Sequence, residues 1–262
     1  AIFKRAYVKG LASAVLLTAG LAAAQAQAAD LNNTSGSALE AEEAITIGSG
    51  GDFDKIQISG GFTNDWNADV TITSGAASSA GNAILGSGSD NVAITGTGSL
   101  TIAVTETTPS GNGLLIVGDG KSASLTLDKV DVQRGELQVA DSGSNSSGAA
   151  SLVAGTITIG KTTTSEDEAT GRATAAREAY LTVKTDSDAG STLGNDQSTI
   201  TVNKTGQLTL TAAASKTATV NADSLTIGEG GLLLINGEGT NKIAAVDLNI
   251  EADAFGVVAG SA

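Results

Sequence analysis

Residues 81–102 read GNAILGSGSDNVAITGTGSLTI, and residues 111–139 read GNGLLIVGDGKSASLTLDKVDVQRGELQV. In both stretches a Gly-Asn step leads into a short apolar run, a glycine-rich turn and two strands in which apolar and polar residues alternate. The offset between the copies is 30 residues at Gly81/Gly111 and 37 at Leu100/Leu137. Such recurrence indicates one supersecondary element stacked on itself, because a single copy cannot bury its apolar face alone.

The alternation of small aliphatic residues with polar ones continues from residue 44 to residue 250. Its period of two directs one set of side chains inward and the other outward, as in half-buried strands. Glycine-rich joints such as GSGSD (86–90) and GEGG (228–231) are typical of tight turns. Only 3% of the residues are aromatic, which favours a narrow coil of stacked aliphatic residues over a two-sheet sandwich. We predict an all-β fold, a right-handed parallel β-helix (β-solenoid).

Residues 1–28 have the three parts of a Sec-type signal peptide. A basic start, AIFKRAYVKG, is followed by an apolar run and by small residues in which Ala26-Gln27-Ala28 fits the A-x-A cleavage rule. The apolar run from Leu11 to Ala24 is shorter than the ~20 residues that span a bilayer. We expect a signal-peptide helix that is cleaved after Ala28, so that the mature protein is secreted or displayed on the cell surface.

The predicted organisation has three parts. The signal peptide (1–28) is followed by a polar, acidic leader or cap at 29–43 and by the solenoid at 44–262. A charged insertion loop interrupts the solenoid at 161–179, and a second loop is expected at 186–197. Repeat proteins place insertions on one face, where they bind a partner or have no specific role.

The composition excludes several classes of site and partner. The absence of cysteine and histidine removes disulfides, thiolate metal sites, the commonest general base and the usual zinc ligand. The formal net charge is -14, from 14 basic and 28 acidic residues, and such a surface repels nucleic acids and anionic membranes. We therefore predict no nucleic-acid partner, no catalytic residues and no cofactor, with calcium as the one ion to consider.

Three carboxylates are candidate calcium ligands: Asp90, Asp52 and Asp54. The stretch GSGSDNV (86–92) matches the G-x-G-x-D-x-U part of the calcium-binding nonapeptide repeat, and GSGGDFDKI (48–56) is a looser match. In that repeat each ion lies between consecutive turns, so one copy supplies half a site. The alternative is an ordinary Gly-Ser turn.

Enzymatic activity is a further alternative, since parallel β-helices also include polysaccharide lyases and hydrolases that use clustered acidic and basic residues. The neighbouring carboxylates are Asp52/Asp54, Asp128/Asp131 and Asp186/Asp188. Side chains at i, i+2 in an extended segment share a face, so Asp52 and Asp54 can act together. Acidic residues at strand ends more often prevent edge pairing, and we predict that the protein is not an enzyme.

Threonine-rich runs suggest binding of ice or glycans on a flat face. These runs are TITS (71–74), TITIG (156–160), TITVN (199–203) and QLTLT (207–211). The hypothesis requires threonines that align over several coils, and the uneven spacing in the sequence argues against a strict lattice. Thr is also a good strand former on exposed faces. A fibre-forming subunit is another alternative, because the ends of a solenoid carry unpaired strand edges.

The repeats ITGTGSLTI (94–102) and ADSLTIGEGGLLLINGEG (222–239), the signal peptide, the lack of cysteine and the acidic balance resemble the passenger region of an autotransporter. These are type V secreted adhesins of Gram-negative bacteria. The resemblance implies a right-handed parallel β-helix at the outer membrane or shed from it, with a role in adhesion, aggregation or biofilm formation. Its implied partners are host or bacterial surface glycans or proteins, or further copies of itself.

The sequence contains no translocator barrel, so we expect either the N-terminal fragment of a longer protein or a secreted solenoid. Contact with a membrane is expected only through a translocator outside this chain. The predicted function is that of an exported, non-enzymatic β-solenoid with a structural or adhesive role. The alternatives are a calcium- or glycan-binding secreted module and a polysaccharide-degrading enzyme.

Overall fold

The computed structural model describes residues 29–33, 40–41, 43–48, 51–58, 63–74, 83–86, 90–105, 109–141, 148–162 and 177–259. For residues 29–33, 40–41, 54, 63–64 and 255–259 it describes the backbone alone. The predicted signal peptide and most of the predicted insertion loop lie outside the described residues.

The strands form three parallel sheets, which we call A, B and C. Sheet A contains β1 (Ala29–Asn33), β4 (Phe53–Ile58), β7 (Ala83–Gly86), β10 (Gly113–Gly118), the end of β11 (Ala123–Asp141), β13 (Ala179–Thr185), β16 (Gly206–Ala212), β18 (Leu232–Asn236) and β20 (Phe255–Ala259). Sheet B contains β2 (Glu40–Ala41), β5 (Thr63–Trp66), β8 (Val92–Thr95), the start of β11, the start of β12 (Ala150–Ile159), β14 (Ser191–Leu193) and the starts of β17 (Thr217–Ile227) and β19 (Thr240–Ile250). Sheet C contains β3 (Ile45–Ile47), β6 (Asp69–Ile72), β9 (Ser99–Ala103), the middle of β11, the end of β12, β15 (Thr199–Val202) and the ends of β17 and β19.

The chain visits sheets A, B and C in turn and then returns to sheet A one rung further along. Each strand between the first and last described rungs pairs with the strand one winding earlier and the strand one winding later, and these pairings are parallel. This arrangement confirms the predicted all-β class and the predicted parallel β-solenoid. The described residues contain no helix, and hence none long and apolar enough to cross a membrane.

Inward-facing aliphatic side chains form one core along the stack. One column of sheet C consists of Val70, Leu100, Val130, Ile157, Ile200 and Leu225. None of these side chains is more than 1% exposed. Because residues of similar size lie above one another at about 4.8 Å per rung, each winding buries the apolar face of the one before it.

Trp66 is the exception to this core of small aliphatic residues. Its side chain is fully buried, and the next winding passes close to its backbone through Gly96 and Gly98. The Gly98 amide donates to the Trp66 carbonyl oxygen at 3.0 Å. A Cβ atom on Gly96 would lie 1.8 Å from that same oxygen. The two windings can therefore approach this closely only because Gly96 has no side chain.

The register of the two sequence copies in the structure differs from their alignment in the sequence. Leu100 stacks on Val130 rather than on Leu137, so the offset does not grow to 37 residues. Leu137 belongs to sheet A of the next winding, where it pairs with Leu114. The reason is that β11 continues as one strand through the corner between sheets B and C and the corner between sheets C and A. At the first of these corners it has Asp128 and no glycine.

The segment predicted as a leader or cap and the segment predicted as a second loop both contain strands. The predicted leader at 29–43 includes β1 and β2, which pair with β4 and β5, so stacking begins before residue 44. The predicted loop at 186–197 includes β14, which pairs with β12 and β17 in sheet B. All three strands are short and polar, and their neighbours in space rather than their own pattern hold them in their sheets.

Sheet A is buried on both faces at β7 and β10. Ile84, Leu115, Val117 and Ala140 point away from the main core, yet none is more than 7% exposed, and they form a second apolar cluster. Correspondingly, β7 and β10 are continuous apolar runs rather than alternating ones. Sheet C, in contrast, has a buried inner face and an accessible polar outer face.

Candidate binding face

The candidate calcium ligands occupy separate turns or edges. Asp52 lies in the turn between β3 and β4, where its Oδ2 accepts a hydrogen bond from the Thr46 amide at 2.9 Å. Asp90 lies exposed in the bend before β8, and only the backbone of Asp54 is described, within β4. In the part of the chain that the structure describes, no three acidic side chains come together as metal ligands.

Of the other neighbouring carboxylates, those of Asp186, Asp188 and Asp131 interact with local donors or cations. The carboxylate of Asp186 lies 2.5 Å from Lys184 Nζ, and that of Asp188 lies 2.6 Å from Lys216 Nζ. Asp131 Oδ2 accepts a hydrogen bond from the side-chain amide of Gln133. Surface ion pairs of this kind hold corners in place and add little stability.

The outer face of sheet C carries hydroxyl groups in two in-register columns. The first column is Thr46, Thr71, Thr101, Asp131, Thr158, Thr201, Thr226 and Asn249. The second is Asp69, Ser99, Lys129, Thr156, Thr199, Ser224 and Asp247. The threonines of the TIT runs therefore align, although their spacing in the sequence is uneven.

We call the uninterrupted part of these columns the hydroxyl array; it consists of Thr156, Thr158, Thr199, Thr201, Ser224 and Thr226. Along a strand its members are about 6.6 Å apart, and between rungs about 4.8 Å. Thr156 and Thr199 are exposed and the other four are half-exposed. A flat, two-column grid of donors and acceptors results, with spacing fixed by the backbone.

The hydroxyls of the array make no hydrogen bond to any described residue. Hydroxyls inside the corners behave differently. The buried Ser198 Oγ donates to the Ala154 carbonyl oxygen at 2.7 Å, and the buried Thr205 Oγ1 accepts from the Lys161 amide at 2.9 Å. A hydroxyl can act as one donor and two acceptors, so the array retains its full hydrogen-bonding capacity for an external ligand.

Charged residues border the array on both sides along the stack. Lys129 and Asp131 occupy the preceding rung, and Asp247 occupies the following one. Within the array itself no side chain carries a charge. The arrangement suits binding by neutral hydrogen bonds.

A buried carboxylate fixes the corner that leads into β14. Asp141 is 1% exposed, and its Oδ1 accepts from the amides of Asp186 and Ser187. Its Oδ2 accepts from the Ser187 hydroxyl at 2.9 Å and from the Gly190 amide at 3.0 Å. Four donors from the next winding therefore satisfy this carboxylate, as a buried charge requires.

Arg177 joins three windings beside sheet A. Its Nη1 donates to the carbonyl oxygens of Lys204, Gly206 and Gly230, and its own carbonyl oxygen accepts from the Tyr180 hydroxyl at 3.0 Å. Burial lowers the pKa of Arg177, and the nearby Tyr180 raises it by less. Burial likewise raises the pKa of Tyr180. This contact is structural and fastens the residues that precede β13 to the two following windings.

A shallow polar groove of about 230 Å³ lies at the corner between sheets A and B. Its lining includes Ser187, Thr192, Thr219 and the Lys216–Asp188 ion pair. Because the ion pair neutralises both of its charged groups, the groove offers no unsatisfied charge to a ligand.

No protein-family model, curated protein or solved structure matches this chain. No functional residue can therefore be transferred from a relative.

Proposed function

We propose that this protein is an exported structural and adhesive β-solenoid that binds a neutral, hydroxyl-rich surface polymer through the hydroxyl array of sheet C. The observation that carries the proposal is the in-register alignment of six hydroxyl side chains that have no partner among the described residues. Export is supported by the signal-peptide features of residues 1–28.

A repeating array suits a repeating ligand. A polysaccharide presents hydroxyl groups at regular intervals, so several weak hydrogen bonds of about 0.5–1.5 kcal/mol each can form together. The array is held by a parallel stack with a close-packed core, which means that little conformational entropy is lost on binding. A rigid display of this kind supports adhesion and does not require catalysis.

Charge restricts the class of polymer. The net charge of -14 repels anionic polymers such as nucleic acids and acidic glycans. The array contains no basic residue that would compensate for this repulsion. We therefore propose neutral polysaccharides as the ligand class.

The proposal predicts that purified protein sediments with at least one insoluble neutral polysaccharide in a panel of cellulose, chitin and β-1,3-glucan. The triple variant Thr158→Val/Thr201→Val/Thr226→Val keeps the β-branched shape and removes three hydroxyls. We expect its affinity to fall at least roughly tenfold, since three hydrogen bonds are lost. Binding isotherms on the responsive polymer provide the measurement.

The matched control is Thr126→Val/Thr192→Val/Thr219→Val, which removes three outward hydroxyls from sheet B and should leave binding unchanged. Equal loss in both triple variants, or no binding to any polymer of the panel, would contradict the proposal. A thermal-hysteresis assay tests whether the hydroxyl array binds ice. Activity there that depends on the array, without polysaccharide binding, would assign the face to ice instead.

A further inference from the structure

The hydroxyl array is longer along the stack than across it. Along the stack it covers three rungs, so its first and last hydroxyls lie about 9.6 Å apart. Across each strand it has two hydroxyls, about 6.6 Å apart. Two residues further along the three strands are Gly160, Asn203 and Gly228. The two glycines have no side chain, and the side-chain amide of Asn203 donates to the Gly160 carbonyl oxygen at 3.0 Å. A ligand chain that lies along the stack therefore contacts all six hydroxyls, whereas one that follows a strand contacts two.

The rung spacing restricts the linkage of the sugar chain. In an extended β-1,4-linked chain the equatorial bonds at both ends of each ring keep the chain straight, and each sugar unit advances it by close to one rung spacing, about 4.8 Å. Each rung then contacts one sugar unit. A β-1,3-linked chain curves into a helix and α-linked glucans coil more tightly, so their units do not stay in step with the rungs. Three consecutive rungs therefore match three consecutive units of a β-1,4-linked chain.

The width of the array matches the same kind of chain. The equatorial hydroxyl groups of a β-1,4-linked chain project from its two edges, and its flat faces carry C–H groups. A chain centred between the two columns of the array offers one edge to each column. Five of the six array residues are threonines, whose methyl groups suit the C–H face of the sugar rings. The array therefore provides polar partners for both edges and apolar groups for the face between them.

We infer that the ligand of the hydroxyl array is an extended β-1,4-linked chain with equatorial hydroxyls, as in β-1,4-glucans and chitin, and that it lies along the solenoid axis with one sugar unit on each rung. This inference rests on the proposed function. Charged residues border the site, with Lys129 and Asp131 on the preceding rung and Asp247 on the following one. The neutral part of the site therefore holds three sugar units.

A length series of soluble oligosaccharides tests the orientation of the chain. Each oligosaccharide competes with the polymer that binds in the sedimentation assay, and its inhibition constant is measured. We expect the β-1,4-linked trisaccharide of glucose or of N-acetylglucosamine to bind roughly tenfold more tightly than the corresponding disaccharide, because the third unit adds two hydrogen bonds. The sugar with the larger gain distinguishes a β-1,4-glucan from chitin. Trisaccharides that bind no more tightly than disaccharides in both series would contradict a chain along the stack.

Two variants that each remove two hydroxyls distinguish a rung from a column. Thr156→Val/Thr158→Val removes the whole first rung, so the third sugar unit loses its partners and the trisaccharide should bind no more tightly than the disaccharide. Thr158→Val/Thr201→Val removes one hydroxyl from each of two rungs. Because every rung then keeps a hydroxyl, a trisaccharide gain of roughly threefold should remain. The opposite pattern, or an equal gain in both variants, would overturn the inference.

The linkage is tested with the β-1,3-linked trisaccharide of glucose, which should bind at least roughly fivefold more weakly than the β-1,4-linked trisaccharide. Equal or tighter binding of the β-1,3-linked trisaccharide, or no inhibition by either β-1,4-linked trisaccharide, would overturn the inference. Sedimentation with β-1,3-glucan alone would also overturn it, and would leave the proposed function intact. Absence of binding to every polymer of the panel would instead contradict the proposed function itself.

Discussion

Replacement of Asp141 with alanine is expected to lower the free energy of unfolding by about 3–5 kcal/mol. The carboxylate accepts hydrogen bonds from the amides of Asp186, Ser187 and Gly190 and from the Ser187 hydroxyl. Alanine leaves these donors without their acceptor, at a position where the Asp141 side chain is 1% exposed. A buried donor without a partner costs about 1–3 kcal/mol, which is why the expected loss exceeds that of an ordinary surface change.

The variant Asp141→Asn keeps the shape of the side chain and changes only its hydrogen-bonding groups. The amide keeps one acceptor oxygen and directs an NH₂ group at backbone donors, so we expect an intermediate loss of about 2–3 kcal/mol. Asp128→Ala on the same strand serves as the control, since Asp128 is exposed and its loss should cost less than about 0.5 kcal/mol. Urea denaturation gives the three values. Equal midpoints for Asp141→Ala and Asp128→Ala would show that the buried carboxylate does not stabilise the corner.

Gly96→Ala is expected to destabilise the protein by about 3–5 kcal/mol, through overpacking and the loss of interwinding hydrogen bonds. The added Cβ would lie 1.8 Å from the carbonyl oxygen and 2.2 Å from the carbonyl carbon of Trp66. These are backbone atoms of the adjacent winding, so no side-chain rotation relieves the contact. Separating these two windings weakens the hydrogen bond from the Gly98 amide to the Trp66 carbonyl oxygen, now 3.0 Å.

Gly155→Ala is the matched control, because Gly155 turns the corner between sheets B and C two windings further along. A Cβ at Gly155 would meet only the Asp128 carbonyl oxygen, at 3.1 Å. We expect a change of less than about 1 kcal/mol, since the alanine also reduces the entropy of the unfolded chain. Thermal and urea unfolding of both variants provide the test. A Gly96→Ala protein as stable as the control would contradict the close approach of the windings at Trp66.

The sequence was sufficient to predict the strands with strict alternation. In TITI (156–159) and TITV (199–202) each inward aliphatic residue lies between polar neighbours, and both segments are strands of sheet C. Here local pattern and tertiary contacts agree. The parallel stack could also be predicted from the sequence. Columns of small aliphatic residues fill a narrow coil, which has no room for many aromatic rings.

The sequence did not predict the features that depend on distant contacts. β14 has only three residues in a polar stretch, and its pairing with β12 and β17 places it in sheet B. The partners of Asp141 lie 45 or more residues away, so no local pattern marks that carboxylate as buried.

The alignment of the hydroxyl array also could not be predicted from the sequence. Thr158 and Thr201 are 43 residues apart, whereas Thr201 and Thr226 are 25 apart. Corners and insertions absorb this difference in length, and the threonines align in space because the flanking Ile157, Ile200 and Leu225 must stack in the core. Uneven spacing along the sequence was therefore a poor guide to regularity on the surface.

Cysteine cross-linking tests the central claim, that windings stack in register and align the hydroxyl array. The natural chain has no cysteine, so a Thr158→Cys/Thr201→Cys variant contains only the two introduced thiols. Their positions are directly paired, and a separation of about 4.8 Å between the Cα atoms suits a disulfide.

Thr158→Cys/Thr226→Cys is the control, with its two thiols about 9.6 Å apart across two rungs, which is too far for a disulfide. After mild oxidation in dilute solution, the number of free thiols per chain is counted by labelling and mass spectrometry. We predict an intramolecular disulfide in the Thr158/Thr201 variant and two free thiols in the control. Free thiols in the first variant, or equal disulfide formation in both, would contradict the in-register stack.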